Sequence, residues 1–581
     1  MVRGAMKWYG WGGELDHFDP EGRPYLWPFA QKHLAISEHQ ARTLPVPLDS
    51  ITLPHRRENP LFLSCIAEIF PPSRWSIDDF DRLTHAYGKS TRDLWRIRHG
   101  RVDFSPDCVV YPRSESEVCQ LLAAADEHGV IVIPFGGGTN VAGCLEMRRP
   151  DSRMVCSVDM RGMNRVLSID PVSRIARVEA GILGPDLEEA LATHGLMVGH
   201  VPDSFPHSTL GGWVASRSAG MFSDGYGNIE DMVVSMRVAT PRGFIRTLDV
   251  PHASSGPDAN GICIGSEGTL GIITEVTVEV REIQRCREFH GYLFPTFDQG
   301  IDAIRQCRSS GHAPILSRLN DAKRTQLSAA FRRRGSVVHN IAAALMKSYI
   351  GARGFDAASA SLLICAYEGE NRAAIMSQRR PCERIFRSHG AINLGRSPGE
   401  SFAKGKFDFP FIRDFLMDYD VICDVNETAT TWSRLKPLYN ALSEALDCAL
   451  RSEERPSWFG CHISHTYHAG AMLYFSYAFR CKSVGATCNM EAELAHYLAV
   501  KRAVLDCISS HGATLSHHHA VGYEHLPWLS AESIVGRGTV IDAIKSNIDP
   551  NGIMNPGKLM SGFALEDWFS EPNAREIDSS R

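Results

Sequence analysis

Residues 202–243 read PDSFPHSTLGGWVASRSAGMFSDGYGNIEDMVVSMRVATPRG, and residues 265–280 read GSEGTLGIITEVTVEV. A third stretch, PFGGGTN at residues 134–140, follows the apolar run VIVI, so three glycines stand where a buried strand is expected to end. Glycine has no Cβ, so backbone amides there can adopt positive φ and close on a phosphate, although such a triplet also suits an ordinary turn. The chain contains neither GxGxxG nor GxxxxGKS/T, which disfavours the two commoner phosphate-binding folds.

Together these stretches resemble the FAD-binding domain of the vanillyl-alcohol-oxidase and p-cresol-methylhydroxylase (PCMH) superfamily, over roughly residues 103–282. DPNGIMNPGKL at residues 549–559 resembles the C-terminal signature of the FAD-linked oxidases in that superfamily. The resemblance implies that the glycine loop, the turn after Pro202 and the segment EGTLGII hold FAD, while some of their glycines serve only tight turns. The implied FAD-binding residues are Pro134, Phe135, Gly136, Gly137, Gly138, Thr139, Asn140, Asp203, Ser204, Phe205, Pro206, His207, Ser208, Thr209, Ser216, Arg217, Ser218, Ala219, Glu267, Gly268, Thr269, Leu270, Gly271, Ile272 and Ile273.

The glycine loop also bears on how FAD is attached. Some relatives in the superfamily bind FAD covalently through a histidine or cysteine, often in this loop. Residues 134–140 contain neither, so we expect a non-covalent FAD, with His207 the one nearby residue able to change that.

Length and composition limit the classes of protein to which the chain can belong. A chain of 581 residues predicts two or three domains, and 44% hydrophobic with 22% charged residues is ordinary for a globular protein. A net charge of −6 gives no basic excess, so we expect no nucleic-acid partner. The 16 cysteines form no CxxC pair, which favours reduced thiols over a disulfide framework. No apolar run reaches the length of about 20 residues that spans a bilayer.

Strand and helix patterns predict an α+β fold. From residue 106 the pattern reads strand, helix (Ser114–His128), strand, while 76–87, 297–309 and 491–510 have helical patterns and 361–369 a strand pattern. We expect a PCMH-type FAD-binding domain, an α+β substrate (cap) domain, and helical N- and C-terminal segments. The predicted ranges are 1–101 for an arm and helical cap, 102–283 for the FAD-binding domain, 284–485 for the cap domain, and 486–581 for a C-terminal helical segment that closes the flavin site.

Polar residues alternate in CHISHTYHAGAMLYFSYAF, residues 461–479, as on one strand. The even positions include His462, His468 and Tyr474, so we expect Tyr474 to face a cavity. The three histidines at 517–519 suggest a metal, but neighbours on a strand point to opposite faces, and His462, His465 and His468 do not converge on a strand either. We therefore expect no metal site.

Motifs outside the FAD loops resemble a narrower family, the alkyldihydroxyacetonephosphate synthases of ether-lipid synthesis, from Met6 to about Leu559. These motifs are MKWYGWG (6–12), YGNIEDMVV (226–234), SRLND (317–321), FIRD (411–414), TYHAGAMLYFSYAF (466–479) and SHHHAVG (516–522). The resemblance implies exchange of the acyl chain of 1-acyl-dihydroxyacetone phosphate for a long-chain fatty alcohol. This reaction is redox-neutral overall and passes through a flavin N5 adduct.

The resemblance also assigns roles to residues of this chain. Tyr474 matches the acid/base tyrosine, and a phenol can do that work if a nearby cation or hydrogen bond lowers its pKa from ~10 towards neutral. His517, His518 and His519 match a triple histidine that would supply this environment or relay the proton. A packing role is the alternative for a tyrosine on a strand.

Two arginines complete the implied site. Arg413 matches an arginine that contacts substrate, where a planar guanidinium suits a phosphate; otherwise it is a surface ion pair. Arg318 matches an arginine important for activity, which we expect to support the site beside the flavin. His462 and His468 stand where animal relatives have arginine and aspartate, so the identity of the ketone substrate is open.

Two other functions remain open: an FAD-linked 2-hydroxy-acid oxidase or dehydrogenase, and a flavoprotein that has lost its chemistry. We expect peripheral membrane binding through residues 328–350, with the basic cluster Arg332, Arg333 and Arg334 beside an apolar helical stripe; alternatively the stripe packs on the cap domain. A homodimer is one expected assembly. We expect a cytoplasmic location or the inner face of a membrane, because no peroxisomal signal is visible at either end.

Overall fold

The computed structural model of the chain describes residues 6–147, 152–333, 349–485, 488–532 and 537–560. Its N-terminal part forms an arm and the helices Leu26–Leu34, Pro60–Ile69, Asp79–Thr84 and Thr91–Arg98. The helix predicted over 76–87 is shorter than expected, because Trp75 and Ser76 pair with Val110 and Val109 as an edge strand. Sheet pairing thus replaces helix at the start of that segment.

The first sheet is mainly parallel. Its strands are β1 (Trp75–Ser76), β2 (Cys108–Val110), β3 (Ile131–Phe135) and β4 (Val155–Asp159), in the spatial order β1-β2-β4-β3. Helix Glu115–His128 connects β2 to β3, and both strands are parallel to β4. Ser114 caps the helix by accepting a hydrogen bond from the Glu117 N–H, and Gly129 ends it with a φ of 64°. The predicted strand, helix and strand are confirmed.

The second sheet is antiparallel. Its strands are β5 (Val166–Asp170), β6 (Ile175–Glu179), β8 (Val233–Thr240), β9 (Gly243–Arg246) and β10 (Ile272–Glu279), in the order β5-β6-β10-β8-β9, and β7 (Leu196–Met197) pairs separately with β11 (Arg281–Glu282). Its helices are Gly184–Ala192, Leu210–Ala215, Ser223–Tyr226, Ile229–Met232 and Ala259–Cys263. The turn 202–209 therefore leads into a helix, and EGTLGII leads into β10.

The third sheet has seven strands in the described part of the chain. They are β12 (Cys286–Phe294), β13 (Leu316–Asn320), β14 (Ser361–Gly369), β15 (Ile392–Gly395), β16 (Val421–Thr431), β17 (Ser457–Ile463) and β18 (Gly470–Arg480), in the order β15-β12-β14-β13-β17-β18-β16. All of these pairings are antiparallel. Strand 361–369 is confirmed residue for residue.

Helices accompany this sheet. They are Phe297–Ser309, Ala322–Ala330, Arg372–Ser388, Ser397–Lys404, Phe409–Met417, Trp432–Arg451, Met490–Ser510, Leu529–Glu532 and Arg537–Ile548. A buried leucine stripe, Leu435, Leu438, Leu442, Leu446 and Leu450, recurs at helical spacing on Trp432–Arg451, which packs on Met490–Ser510 and β18. The helices predicted over 297–309 and 491–510 are confirmed, and with them the α+β class.

Residues 461–479 form a hairpin, so the prediction of one strand was wrong. β17 ends at Ile463, β18 begins at Gly470, and His462 pairs directly with Tyr474. A Cβ on Gly470 would lie 2.0 Å from the Thr430 carbonyl oxygen, so the close approach to β16 requires glycine there. The chain reverses between two strands that share one alternating pattern.

The C-terminal segment returns to the first sheet. The Val132 N–H donates to the Ile553 carbonyl at 2.8 Å, and the Asn555 N–H donates to the Val132 carbonyl at 2.9 Å. Lys545 Nζ donates to the Thr269 carbonyl at 2.6 Å.

The predicted domain boundaries stay a prediction. No helix in the described ranges combines the length and apolar composition of a membrane span.

Candidate active site

A cavity of about 440 Å³ lies where the loop after β3, the turn before helix Leu210–Ala215 and the start of β10 meet the third sheet. Glycine is required where these loops approach each other. A Cβ on Gly137 would lie 1.8 Å from the His207 carbonyl oxygen, and one on Gly136 would lie 2.5 Å from Thr209 Oγ1. The backbone N–H groups of Gly137, Gly138 and Thr139 find no acceptor among the described residues, so they remain available for phosphate oxygens.

Most of the predicted FAD-binding residues line this cavity. Those on its wall are Pro134, Phe135, Gly136, Gly137, Gly138, Thr139, Asn140, Asp203, Ser204, Ser208, Thr209, Ser216, Ser218, Ala219, Glu267, Gly268, Gly271, Ile272 and Ile273. Those that are not on the wall are Phe205, Pro206, His207, Arg217, Thr269 and Leu270. The individual FAD contacts stay a prediction.

Glu267 joins the FAD loops to the loop that carries the three histidines. Its carboxylate accepts hydrogen bonds from the backbone N–H groups of Val521 at 2.7 Å and Gly522 at 2.9 Å. Cys144 donates from Sγ to the same carboxylate at 3.2 Å, and burial raises the pKa of that thiol well above its usual value. Cys144 is therefore a protonated thiol, which is a poor nucleophile.

Tyr474 faces the cavity from β18, and its ring lies 4.6 Å from the ring of His462, centroid to centroid. Burial raises the pKa of the Tyr474 phenol above its ordinary value, and the Asp203 carboxylate raises it further. Arg324 and Arg318 lower this pKa by less. The groups of the protein alone therefore do not lower this pKa towards neutral, and the phenol holds its proton at neutral pH.

The segment SHHHAVG is a loop after helix Met490–Ser510, so the strand assumed for it was wrong. Glu427 of β16, which pairs directly with Tyr474, holds this loop by accepting hydrogen bonds from the backbone N–H groups of His517, His518 and His519. The rings converge: the centroids of His518 and His519 are 4.4 Å apart. Burial lowers the pKa values of His517 and His518 to about 4, so both rings are neutral at pH 7.

Three arginines line the same cavity. The Arg318 guanidinium lies 5.4 Å and 5.3 Å from the ring centroids of Phe402 and Phe409, and that of Arg324 lies 5.0 Å from Phe409. Burial lowers the pKa of Arg318, and the nearby Asp203 carboxylate partly opposes this. Arg413 donates from Nη1 to a backbone carbonyl, while its buried Nε and Nη2 have no hydrogen-bond acceptor in the described ranges.

Another part of the wall is apolar. It comes from the helices Leu26–Leu34, Ala322–Ala330 and Phe409–Met417 and their flanks. The apolar lining residues are Leu26, Phe29, Ala30, Leu34, Leu327, Phe331, Phe415 and Leu416. One cavity therefore joins a region of arginines, histidines and a tyrosine to a region that suits a hydrocarbon chain.

Two family models match the chain: an FAD binding domain over residues 106–249, and the C-terminal domain of FAD linked oxidases over residues 283–559. The alkyldihydroxyacetonephosphate synthase of Dictyostelium discoideum is 36% identical over 578 residues, covering 96% of this chain and 93% of that protein. The chain belongs to the alkyldihydroxyacetonephosphate synthase family. A solved structure of an alkyldihydroxyacetonephosphate synthase has a TM-score of 0.80 at 33% identity, covering 95% of this chain and 99% of that one. p-Cresol methylhydroxylase, at 15% identity, covers 90% of this chain with a TM-score of 0.64 and so shows the fold alone.

The predicted family, PCMH-type fold and FAD cofactor are thereby confirmed. The residues present fit FAD, because the glycine loop combines unpaired backbone donors with backbone approaches that no larger residue allows. As a member of this synthase family the chain is an enzyme.

Two residues of the site escaped the sequence analysis. Arg324 lies in the first turn of the helix that Asp321 caps, directly after the strand that carries Arg318. Its position three residues after the SRLND motif was a sequence signal for a second arginine at the site. Glu427 had no such signal, because it is one of several polar residues on β16 and meets the histidine loop only through folding.

Proposed function

We propose that the chain is an FAD-dependent alkylglycerone-phosphate synthase, which replaces the acyl chain of 1-acyl-dihydroxyacetone phosphate with a long-chain fatty alcohol. The bond between carbon 1 and the acyl carboxylate breaks, and a bond between carbon 1 and the alcohol oxygen forms. The products are an ether and a fatty acid, and no electrons are gained or lost overall. The observation that carries this proposal is the single cavity with cationic and apolar walls, since the ketone donor has a phosphate at one end and a hydrocarbon chain at the other.

FAD, when bound, supplies an electron sink for the carbon next to the ketone. Tyr474 is the proposed acid and base: its phenol is buried and protonated, and the neutral imidazoles of the histidine loop lie beside it. His518 lines the cavity beside it, with ring centroids 6.3 Å apart. His517 and His519 complete the proposed proton relay.

The proposed phosphate contact is Arg413. Its buried Nη2 has no acceptor among the described residues, and its Nε is in an ion pair with Asp414 Oδ1 at 3.6 Å, too long for a hydrogen bond. The guanidinium therefore keeps donors that suit a phosphate. Arg318 and Arg324 add positive charge to the same cavity, where Asp203 is a nearby carboxylate. They would attract the phosphate.

A turnover assay tests this function against the 2-hydroxy-acid dehydrogenase alternative. Purified protein with acyl-dihydroxyacetone phosphate and hexadecanol is expected to release fatty acid and form one alkyl product for each fatty acid. Neither oxygen nor an external electron acceptor should be consumed. Acceptor reduction with 2-hydroxy acids, and no ether product, would favour the dehydrogenase. The family assignment already makes that alternative the weaker one.

We further propose that FAD is not covalently bound. The glycine loop contains no histidine or cysteine, His207 is not on the cavity wall, and the Cys144 thiol is protonated and bonded to Glu267. Acid denaturation should therefore release intact FAD into the supernatant. Flavin that stays in the protein pellet would contradict this.

Peripheral membrane binding is also proposed, because both substrates carry long chains. Most of the predicted contact segment, residues 334–348 with Arg334, lies outside the described residues. Of the described part, Arg333 pairs with Asp19 at 3.1 Å, and both side chains are exposed. A homodimer and a cytoplasmic location remain predictions.

A further inference from the structure

A buried histidine beside the cavity, His465, has no part in the proposed reaction. His465, in the connection between β17 and β18, lies against the histidine loop. One ring nitrogen from each of His465, His517 and His518 lies within 4.8 Å of the others. Two separate segments of the chain thus bring three metal-ligand atoms together.

The His465 ring has no partner that explains its burial. The residue is 6% exposed, and its Nδ1 is buried without a hydrogen bond. Burying a nitrogen without a hydrogen bond lowers the stability of the fold, so a ligand that binds this ring would remove that cost.

The other two rings face each other closely. Nδ1 of His517 and Nδ1 of His518 are 2.9 Å apart, a separation that requires a shared proton or a shared cation. Nε2 of His517 is 2.5 Å from the Tyr467 hydroxyl, which also accepts a hydrogen bond from Asn228 Nδ2 at 3.0 Å. When Nε2–H donates to that hydroxyl, the Nδ1 lone pair of His517 points towards His518. Metal-ligating histidines are commonly oriented in this way by a second partner.

We propose that His465, His517 and His518 form a binding site for a divalent transition-metal ion such as Zn²⁺ or Co²⁺. Three imidazole nitrogens suit these ions, whereas Mg²⁺ and Ca²⁺ prefer oxygen ligands. His465 and His518 are on the cavity wall, so the fourth coordination position would open towards the cavity. At bond lengths of about 2.0–2.1 Å, tetrahedral coordination places ligand nitrogens about 3.3 Å apart. Rotation of the rings would therefore bring the His465 nitrogen closer to the pair and move the Nδ1 atoms of His517 and His518, now 2.9 Å apart, slightly further from each other. The expectation of no metal rested on a strand that the structure replaces with a loop.

Cobalt titration of the FAD-loaded enzyme tests the site without an activity assay. Co²⁺ in a site of low coordination number gives visible d–d bands at longer wavelengths than flavin absorption. We expect one equivalent of Co²⁺ to bind and Zn²⁺ to displace it. His465→Gln should weaken binding by at least about 10-fold, because one ligand is lost. The matched control is His468→Gln, three residues away and exposed, which should bind as the wild type does.

Three outcomes would overturn the site: no d–d bands in the wild type, equal binding by wild type and His465→Gln, or equal losses in His465→Gln and His468→Gln. Bound flavin and circular dichroism check that each variant is folded. Should His465→Gln fail to fold, His517→Asn gives the same test, with retained wild-type affinity contradicting the proposal. Since the readout is metal binding, its result is independent of whether the proposed exchange reaction is observed.

Discussion

Tyr474 has a buried, protonated phenol, and its function can be tested with a phenylalanine that lacks only the hydroxyl group. Tyr474→Phe should lower the exchange rate by about 100-fold or more, the usual loss when a positioned acid or base is removed. FAD should remain bound, because the hydroxyl has no hydrogen bond to the FAD loops in the described chain. The measurements are turnover to alkyl product and flavin absorbance of the purified variant. Near-normal turnover would remove Tyr474 from the mechanism.

Glu427 is the positioning residue behind the histidine loop. It accepts hydrogen bonds from Ser516 Oγ at 2.8 Å and from the backbone N–H groups of His518 and His519 at 3.0 Å each. A glutamine there would turn an NH₂ group towards backbone donors and displace the loop.

Glu427→Gln is therefore expected to lower kcat by about 100-fold, since small displacements at a reacting site have costs of that order. KM for the acyl donor should change little, because the arginines remain in place. A stability-only role would instead reduce the amount of folded, FAD-loaded enzyme and leave kcat per bound flavin unchanged.

At the scale of elements, sequence patterns predicted what is local. The glycine loops and the strands and helices around them follow from short motifs. The hairpin of β17 and β18 was missed because the alternation of polar and apolar residues continues unchanged through its connection. His462 and Tyr474 are both even-numbered, and they pair directly across the two strands. Tyr474 was consequently predicted to face the cavity although the topology was wrong. The convergence of Glu427 with the histidine loop depends on strand pairing across the sheet, which no local pattern reports.

The segment around Arg332, Arg333 and Arg334 carries the prediction about membranes. Replacing all three by alanine should weaken flotation with anionic liposomes at low salt, since each arginine near such a surface contributes about 1 kcal/mol. Wild-type binding should also weaken as salt rises. The matched control is Arg380, Arg384 and Arg387 to alanine, which removes the same charge from exposed positions of helix Arg372–Ser388. Equal flotation of the two triple variants would dismiss this segment.

At the scale of the whole molecule, a buried ionic network ties distant parts of the chain together. Arg92 of an N-terminal helix contacts Glu146 at 2.8 Å and Glu524, beyond the histidine loop, at 3.4 Å. Lys501 of helix Met490–Ser510 contacts Glu524 at 3.0 Å and Asp424 of β16 at 2.8 Å. These ion pairs fix the segments that surround the cavity relative to one another.

Glu524 shows how this network responds to acid. Burial by itself raises the pKa of its carboxyl, but Lys501 and Arg92 more than offset this and hold the pKa at about 2. The unfolded chain has a glutamate pKa of about 4.3, so the carboxylate stabilises the fold above that pH, and the contribution is lost as pH falls towards 2.

Glu524→Gln should therefore lower the free energy of unfolding by about 3 kcal/mol at pH 7, because two buried cations lose a partner. Between about pH 5 and pH 2 the difference between variant and wild type should shrink. Denaturant unfolding across this pH range measures both effects, with Glu491→Gln, whose side chain is 77% exposed, as the control expected to change stability little. A pH-independent difference would mean that the cost comes from packing and not from the charge of Glu524.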